Sequence, residues 1–210
     1  HDTASAVAAV PEGKRLWISS GTWSLIGIES DSPCTTEEAE SAGFTNEGGL
    51  DGRIRFLKNI MGLWIIQSVK RELKGQYNYE QLMKFAESSF YEGYLRVDDD
   101  RLLSPASMTE AIKSSLADSG QPAPQDIGDL MKAVYRGLAA SYAEAADSIE
   151  RITGERFDTI AIIGGGSRDR YLNRLTGELS HRRVVTGSPE ATALGNILVQ
   201  MKFSKKNRGN

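Results

Sequence analysis

Cysteine is nearly absent from this chain: Cys34 stands alone among 210 residues. No internal disulfide is open to it, and a reducing, cytoplasmic setting is the natural expectation. Histidine is almost as scarce, with only His1 and His181. Two histidines and one cysteine supply no ligand cluster of the kind a zinc ion needs, and no metal-ligating residue is assigned. Nor is there a surplus of positive charge: 25 Lys and Arg stand against 28 Asp and Glu, a net charge of −3. That balance argues against a nucleic-acid partner. Long apolar runs are missing too. "IMGLWII" and "TIAIIGGG" fall far short of the roughly 20 residues that a bilayer-spanning helix needs, so no membrane partner is expected. What is there is 40% hydrophobic and 25% charged, ordinary for a globular domain.

The pattern of the chain predicts an α/β domain. "DTASAVAAV" reads as a short helix with Asp2 near its start. Two strand-like runs, Arg15–Ser19 and Thr22–Glu29, meet at Ser20-Gly21 as a hairpin or a strand pair with a tight bend. The polar, glycine-bearing stretch from Ser32 to Phe56 reads mostly as loop. "LKNIMGLWIIQSVKREL" carries Leu57, Ile60, Met61, Trp64 and Ile65 near helical spacing, which predicts one helix. Further helices are expected over Tyr79–Ser88 and in "MTEAIKSSLADSG", the latter ended by Gly120. The strongest periodicity runs from Asp126 to Gly154, where Ile127, Leu130, Met131, Val134, Leu138, Tyr142 and Ile149 recur on one face and Gly154 occupies a C-terminal cap position. A β-branched strand, three glycines and a helix follow, then a short strand "RRVVTG" and a helix opened by Ser188-Pro189. Residues 1–200 read as one domain whose strands share a sheet, and 201–210 as a basic, disordered tail.

Four stretches bear chemistry. The strand that runs into Gly164, Gly165 and Gly166 and then a helix puts free backbone amides and the positive helix end at the sheet edge, where a flat or anionic ligand can lie. It matches neither GxGxxG, since residue 169 is Asp, nor the phosphate loop, since its lysine is missing. A tight strand-to-helix turn explains it equally well. "SSGTWS" sets hydroxyls and a flexible Gly21-Thr22 at a bend, as a phosphate contact or simply a polar turn. Asp2 is a helix cap or a general base. On one helix, Asn59 and Gln67 would stand about 12 Å apart along the axis and about 80° apart around it, reaching two parts of a long ligand or satisfying buried backbone. "SPEATALGN" reads as a capped helix packing on the glycine turn, with Ala191, Ala193 and Gly195 small enough for close approach.

In their order, "HDTASAV", "SSGTWSLIGIES", "TNEGG…GRIRFLKNIMGLWIIQ" and "GGGSRDRYLN" with "SPEATALGN" resemble the C-terminal domain of the FGGY carbohydrate kinases, over His1 to about Gln200. Within the family they are most similar to the branch acting on L-rhamnulose. The resemblance implies the C-terminal half of an actin-like ATPase (ribonuclease H-like) fold, a mixed sheet flanked by helices. It implies transfer of the ATP γ-phosphate to the sugar with Mg²⁺. Asp2 would be the base; Gly21 and Thr22 would hold the nucleotide phosphates. Gln67 would touch the nucleotide, Asn59 the sugar, and Gly164, Gly165 and Gly166 would floor the adenosine site. An N-terminal domain supplying most sugar contacts would precede His1, and this half alone would be inactive. The family's Ala-Asp and following Gly are replaced by Gly177-Glu178 and His181, which bears on how that helix ends. A kinase for L-fuculose, D-xylulose or glycerol is the rival enzyme, and a non-catalytic nucleotide-binding module the rival of another class.

Overall fold

Residues 5–7, 10 and 16–207 are described by a computed structural model, with side chains as far as Met201. Asp2 lies outside the described residues. Among them, six strands form one mixed sheet in the order β3-β4-β2-β1-β5-β6. The strands are β1 (Leu16–Ser20), β2 (Trp23–Ser30), β3 (Phe44–Gly48), β4 (Ile54–Met61), β5 (Thr159–Ile163) and β6 (Arg183–Thr186). β1 is central, and its residues Leu16, Trp17 and Ile18 are buried. It pairs antiparallel with β2, as the hairpin-like spacing predicts, and parallel with β5. A parallel partner needs a long crossover, and the helical middle of the chain supplies it.

The helices are α1 (Glu37–Ser41), α2 (Trp64–Glu72), α3 (Tyr79–Ser88), α4 (Met108–Asp118), α5 (Ile127–Thr153), α6 (Arg170–Ser180) and α7 (Ala191–Asn207). α5 is the spine of one layer and packs with α3 and α6. Asp126 caps its start by accepting from the Asp129 amide, and Gly154, at φ +72°, ends it in the left-handed conformation. Its buried face carries Leu130, Val134, Leu138, Tyr142 and Ile149. Tyr142 reaches β2 through a 2.6 Å hydrogen bond between its hydroxyl and Ser24 Oγ. The opposite sheet face is covered near Val7 and Val10, which pack with Trp17, Leu57, Ala161, Leu25 and Val185. No described helix is long and apolar enough to cross a membrane.

The structure corrects three expectations. Residues 57–73 are not one helix: Ile54–Met61 is strand β4, paired along its length with β2, and the helix begins only at Trp64. Phe56, Leu57, Ile60 and Met61 are buried on both faces of the sheet, which yields an apolar run that periodicity cannot tell from a helix. The break comes at Gly62, where a Cβ would lie 2.6 Å from Ser24 Oγ. Second, the supposed loop holds helix Glu37–Ser41, capped by Thr36, and strand Phe44–Gly48. That strand is an edge with one buried residue, Phe44, stacked on Phe56 at 4.8 Å, so it shows no apolar alternation. Third, α7 runs to Asn207, into the stretch read as a disordered tail. No Gly or Pro interrupts the sequence between Asn196 and Arg208. His181 ends α6 at φ +53°, a conformation that costs a side chain about 1–2 kcal/mol.

The C-terminal end of α5 is pinned to the start of β6 by Arg182, only 7% exposed. Its guanidinium meets Glu150 at 3.0 Å and Asp147 at 2.8 Å, and donates to the Phe157 carbonyl. Burial pushes the Glu150 carboxyl up, but the Phe157 amide and Arg182 outweigh it and hold it below the ordinary 4.5. Arg182→Met leaves that nearly buried carboxylate with the Phe157 amide and only the exposed Arg156 as a charged partner. A stability loss of about 3 kcal/mol is expected near neutral pH, or about 6–12 °C in melting temperature for a domain of this size. Because the folded carboxyl is depressed, the wild-type advantage exists above its unfolded value and fades as pH falls through the folded one. Urea unfolding at pH 7 and pH 3.5 checks both; equal stabilities at pH 7 contradict the assignment.

Candidate active site

β1 and β5 run parallel and side by side, with Ser19 opposite Ile163, so the turn after β1 and the glycines after β5 emerge at one end of the sheet. Gly21 and Thr22 form the first wall. The Gly21 amide donates to the Trp23 carbonyl, while the Leu63 and Trp64 amides donate to the carbonyls of Gly21 and Thr22 at 2.9 and 3.0 Å. The bend is therefore fastened to the start of α2. One turn further on, Gln67 Oε1 accepts from Thr22 Oγ1 at 3.4 Å. The two polar side chains read from distant motifs thus meet.

The three glycines have three different surroundings. Gly164 stands at φ +81°, with space for a Cβ blocked by the Ser20 carbonyl at 2.8 Å. A Cβ on Gly166 would overlap Ser20 Oγ, whereas one on Gly165 meets nothing within 4 Å. The outer two let β5 pass close to β1; Gly165 is open. It lines a cleft of about 550 Å³ with Leu63, Ile66, Gln67, Met83 and Asp169. Apolar walls with a few polar groups at the edge are what a nucleobase and ribose require. The Ser188 carbonyl accepts from the Gly164 amide at 3.1 Å, so the Ser-Pro motif does touch the glycine turn. The helix that follows packs elsewhere, against Ser5: Gly195 lies against the Ser5 carbonyl, and Ser5 Oγ donates to Asn196 Oδ1 at 2.6 Å.

Asp169 holds the floor in place. Its carboxylate accepts from the Leu172 amide at 3.0 Å and from the Tyr135 hydroxyl at 2.9 Å. Burial pushes this carboxyl above its ordinary value, and those two donors offset the rise only in part. Tyr135 is buried, and desolvation with the neighbouring Asp169 keeps its phenol protonated. Asn173 adds a hydrogen bond to the Ser167 carbonyl at 2.9 Å. None of these three residues stood out in the sequence, where Asp169 read only as the residue that broke a dinucleotide motif.

Asn59 does not join this group. It sits on β4 opposite Leu25, so the helical relation to Gln67 does not hold. It lines a second cleft, of about 450 Å³, with Trp23, Tyr94 and Asp98 among others. Among the described residues no cluster of three or more His, Cys, Asp or Glu forms a metal cage.

The family model for the C-terminal domain of the FGGY carbohydrate kinases matches residues 16–203. The chain belongs to that family. Curated FGGY relatives include the rhamnulokinase of Oceanobacillus iheyensis, 46% identical over 202 residues, covering 96% of this chain and 43% of the relative. The rhamnulokinase of Bacillus subtilis is 42% identical over 209 residues, 98% of this chain and 43% of the relative. The chain thus spans less than half the length of these relatives. Among solved structures, the glycerol kinase of Plasmodium falciparum with ADP superposes at a TM-score of 0.67 and 14% identity, covering 92% of this chain and 40% of the other. The xylulose kinase of Bifidobacterium adolescentis superposes at 0.63 and 20% identity, covering 92% of this chain and 38% of the other. These likenesses give the fold, the actin-like ATPase type, in agreement with the expectation from the FGGY motifs.

Proposed function

We propose that this chain is the nucleotide-binding half of a kinase that transfers the γ-phosphoryl group of ATP to L-rhamnulose, giving L-rhamnulose 1-phosphate and ADP. The observation that carries the reading is that Gln67 and the open Gly165 line one cleft at the ends of β1 and β5, and that Gln67 is in turn hydrogen-bonded to Thr22 of the adjoining Gly21-Thr22 bend. Rhamnulokinases among the curated relatives, at 40–46% identity, supply the choice of sugar, and a neighbour in fold solved with ADP supports the nucleotide.

Phosphoryl transfer asks a protein mainly for in-line positioning and for charge stabilisation. Adenosine lies over Gly165, between Ile66 and Met83 on one side and Gln67 on the other. Its phosphates run toward the Gly21-Thr22 bend, whose hydroxyl donates to them. Mg²⁺, where bound, neutralises phosphate charge; few carboxylates are needed, since this ion keeps several waters and binds largely through substrate phosphates. Asp2 accepts the proton of the attacking hydroxyl, and Asn59 contacts the sugar. An N-terminal domain of the longer protein provides the remaining sugar contacts and closes the cleft.

The test is a panel on the full-length protein with ATP and Mg²⁺, offering L-rhamnulose, L-fuculose, D-xylulose and glycerol, with ADP release followed and the product identified by phosphorus NMR. L-rhamnulose is expected to lead in kcat/KM by about 100-fold or more. Preference for another member of the panel reassigns the sugar; no ADP release with any acceptor rejects the kinase reading.

A further inference from the structure

Trp23 is left 44% exposed at the head of a strand whose Ser24, Ile26 and Ile28 are buried. A single exposed aliphatic residue is unremarkable on a protein surface, but an indole offers a large apolar face, and three features of its surroundings give that face a use. First, its backbone is part of the phosphate bend: it follows Thr22 directly, and its carbonyl accepts the Gly21 amide at 3.1 Å. The ring is therefore carried by the same rigid turn that faces the transferring phosphoryl group.

Second, the strand register places it beside Asn59. Trp23 pairs with Met61 and Leu25 pairs with Asn59. Directly opposite residues of an antiparallel pair point to one face, so Trp23 and Asn59 are diagonal neighbours on the same face, about 7–8 Å apart and within reach of one ligand. Leu25 and Leu57 share that face and pack with Val7, in the helical turn at residues 5–7 that follows Asp2 in the sequence. Ring, amide and the segment after the proposed base thus lie on one side of the sheet.

Third, the nucleotide has its own cleft. Trp23 and Asn59 line the 450 Å³ cleft with Tyr94, Asp98, Ser141 and Glu144, and none of these lines the cleft of Gly165 and Gln67. β3 stops opposite Lys58, which leaves Asn59–Met61 as a free strand edge opening into this space. The Trp23 ring and the Asn59 amide, both exposed on the sheet face away from α5, suit a hydroxyl-rich molecule: an aromatic face for carbon-bound hydrogens and an amide for hydroxyl groups. Ser141 and Glu144 of α5 stand on the other side of that edge, the side on which Tyr142 meets Ser24.

We propose that Trp23 is the platform on which the sugar acceptor lies, with Asn59 beside it, so that this residue sets acceptor affinity and takes no part in nucleotide binding. The proposal rests on the kinase reading above. It is tested in the full-length protein with Trp23→Ala and Trp23→Phe. Trp23→Ala is expected to raise the KM for L-rhamnulose about tenfold or more while the KM for ATP stays within about twofold; Trp23→Phe, which keeps a ring, stays within about threefold for both. Because Trp23 is half in water, both variants should melt close to wild type. Tryptophan emission gives a readout independent of turnover. L-rhamnulose added without ATP should change the emission of wild type, and Trp23→Phe should remove that change.

Should the panel show no kinase activity, a Trp23-dependent emission change with L-rhamnulose still supports the acceptor platform, and its absence overturns it. Given an active kinase, an unchanged sugar KM in Trp23→Ala, or a loss falling on ATP, overturns the proposal and leaves the kinase reading standing.

Discussion

Gly165→Leu is expected to leave the chain folded and to weaken ADP binding about 100-fold or more, because the new side chain fills the cleft proposed for the nucleotide. The expectation rests on a contrast between neighbours. At Gly165 a Cβ meets no atom within 4 Å, so the side chain leaves the backbone without a clash. At Gly166 a Cβ overlaps Ser20 Oγ, and Ser20 is 1% exposed and has nowhere to move. Gly166→Ala should therefore cost about 1–3 kcal/mol of stability through overpacking. Gly164→Ala combines a crowded Ser20 carbonyl with a positive φ and should cost a similar amount, about 1–3 kcal/mol. Calorimetric titration with ADP and Mg²⁺, paired with thermal melts, separates the cases in the full-length protein. Gly165→Leu should melt within about 2 °C of wild type, while the other two should melt about 2–12 °C lower. Tight ADP binding by a folded Gly165→Leu variant would remove adenosine from the glycine turn.

Asp2→Asn, made in the full-length protein, is expected to lower kcat about 10²–10⁴-fold, the usual contribution of a positioned general base. Asparagine keeps the size of the side chain and its capacity to cap a helix, and loses only the capacity to take a proton. ADP affinity should therefore be unchanged, since the nucleotide cleft is built from α2, α3 and the glycine turn. Stability should change little for the same reason. Ser5 donates to Asn196, its carbonyl lies against Gly195, and Ala6 packs with Ile163 and Ala191. The helical turn that follows Asp2 is thereby held to α7 and to the end of β5, the strand that leads into the glycine turn. Turnover by Asp2→Asn within threefold of wild type, with ADP binding intact, would sink the assignment of the base.

Local signals carried much of the fold. The hairpin bend at Ser20-Gly21, the capped helix at Tyr79–Ser88, the long helix ending at Gly154 and the strand–glycine–helix unit all stand where the sequence places them. Each is marked by residues whose effect acts over one or two turns: a capping side chain, a glycine able to adopt positive φ, or a periodic apolar face. The family was legible for a similar reason, because the Ser20-Gly21-Thr22 bend and the glycine turn are short contiguous motifs.

Packing decided the rest. Whether Ile54–Met61 became strand or helix depended on burial between β2 and β3, and an apolar run buried on both faces carries no period of its own. The same outcome moved Asn59 from Gln67's side to Trp23's. The division of labour among Gly164, Gly165 and Gly166 was invisible in a run of three identical residues, since it is set by Ser20 on the adjacent strand. The hold of Tyr135 on Asp169 likewise joins residues 34 positions apart, on α5 and at the cap of α6. Sequence by itself determined the elements with strong local punctuation and the motifs that identify the family. Only the tertiary structure decided which motif residues face a ligand and which face one another, because a side chain's neighbours across a sheet or between helices are fixed by long-range burial and register.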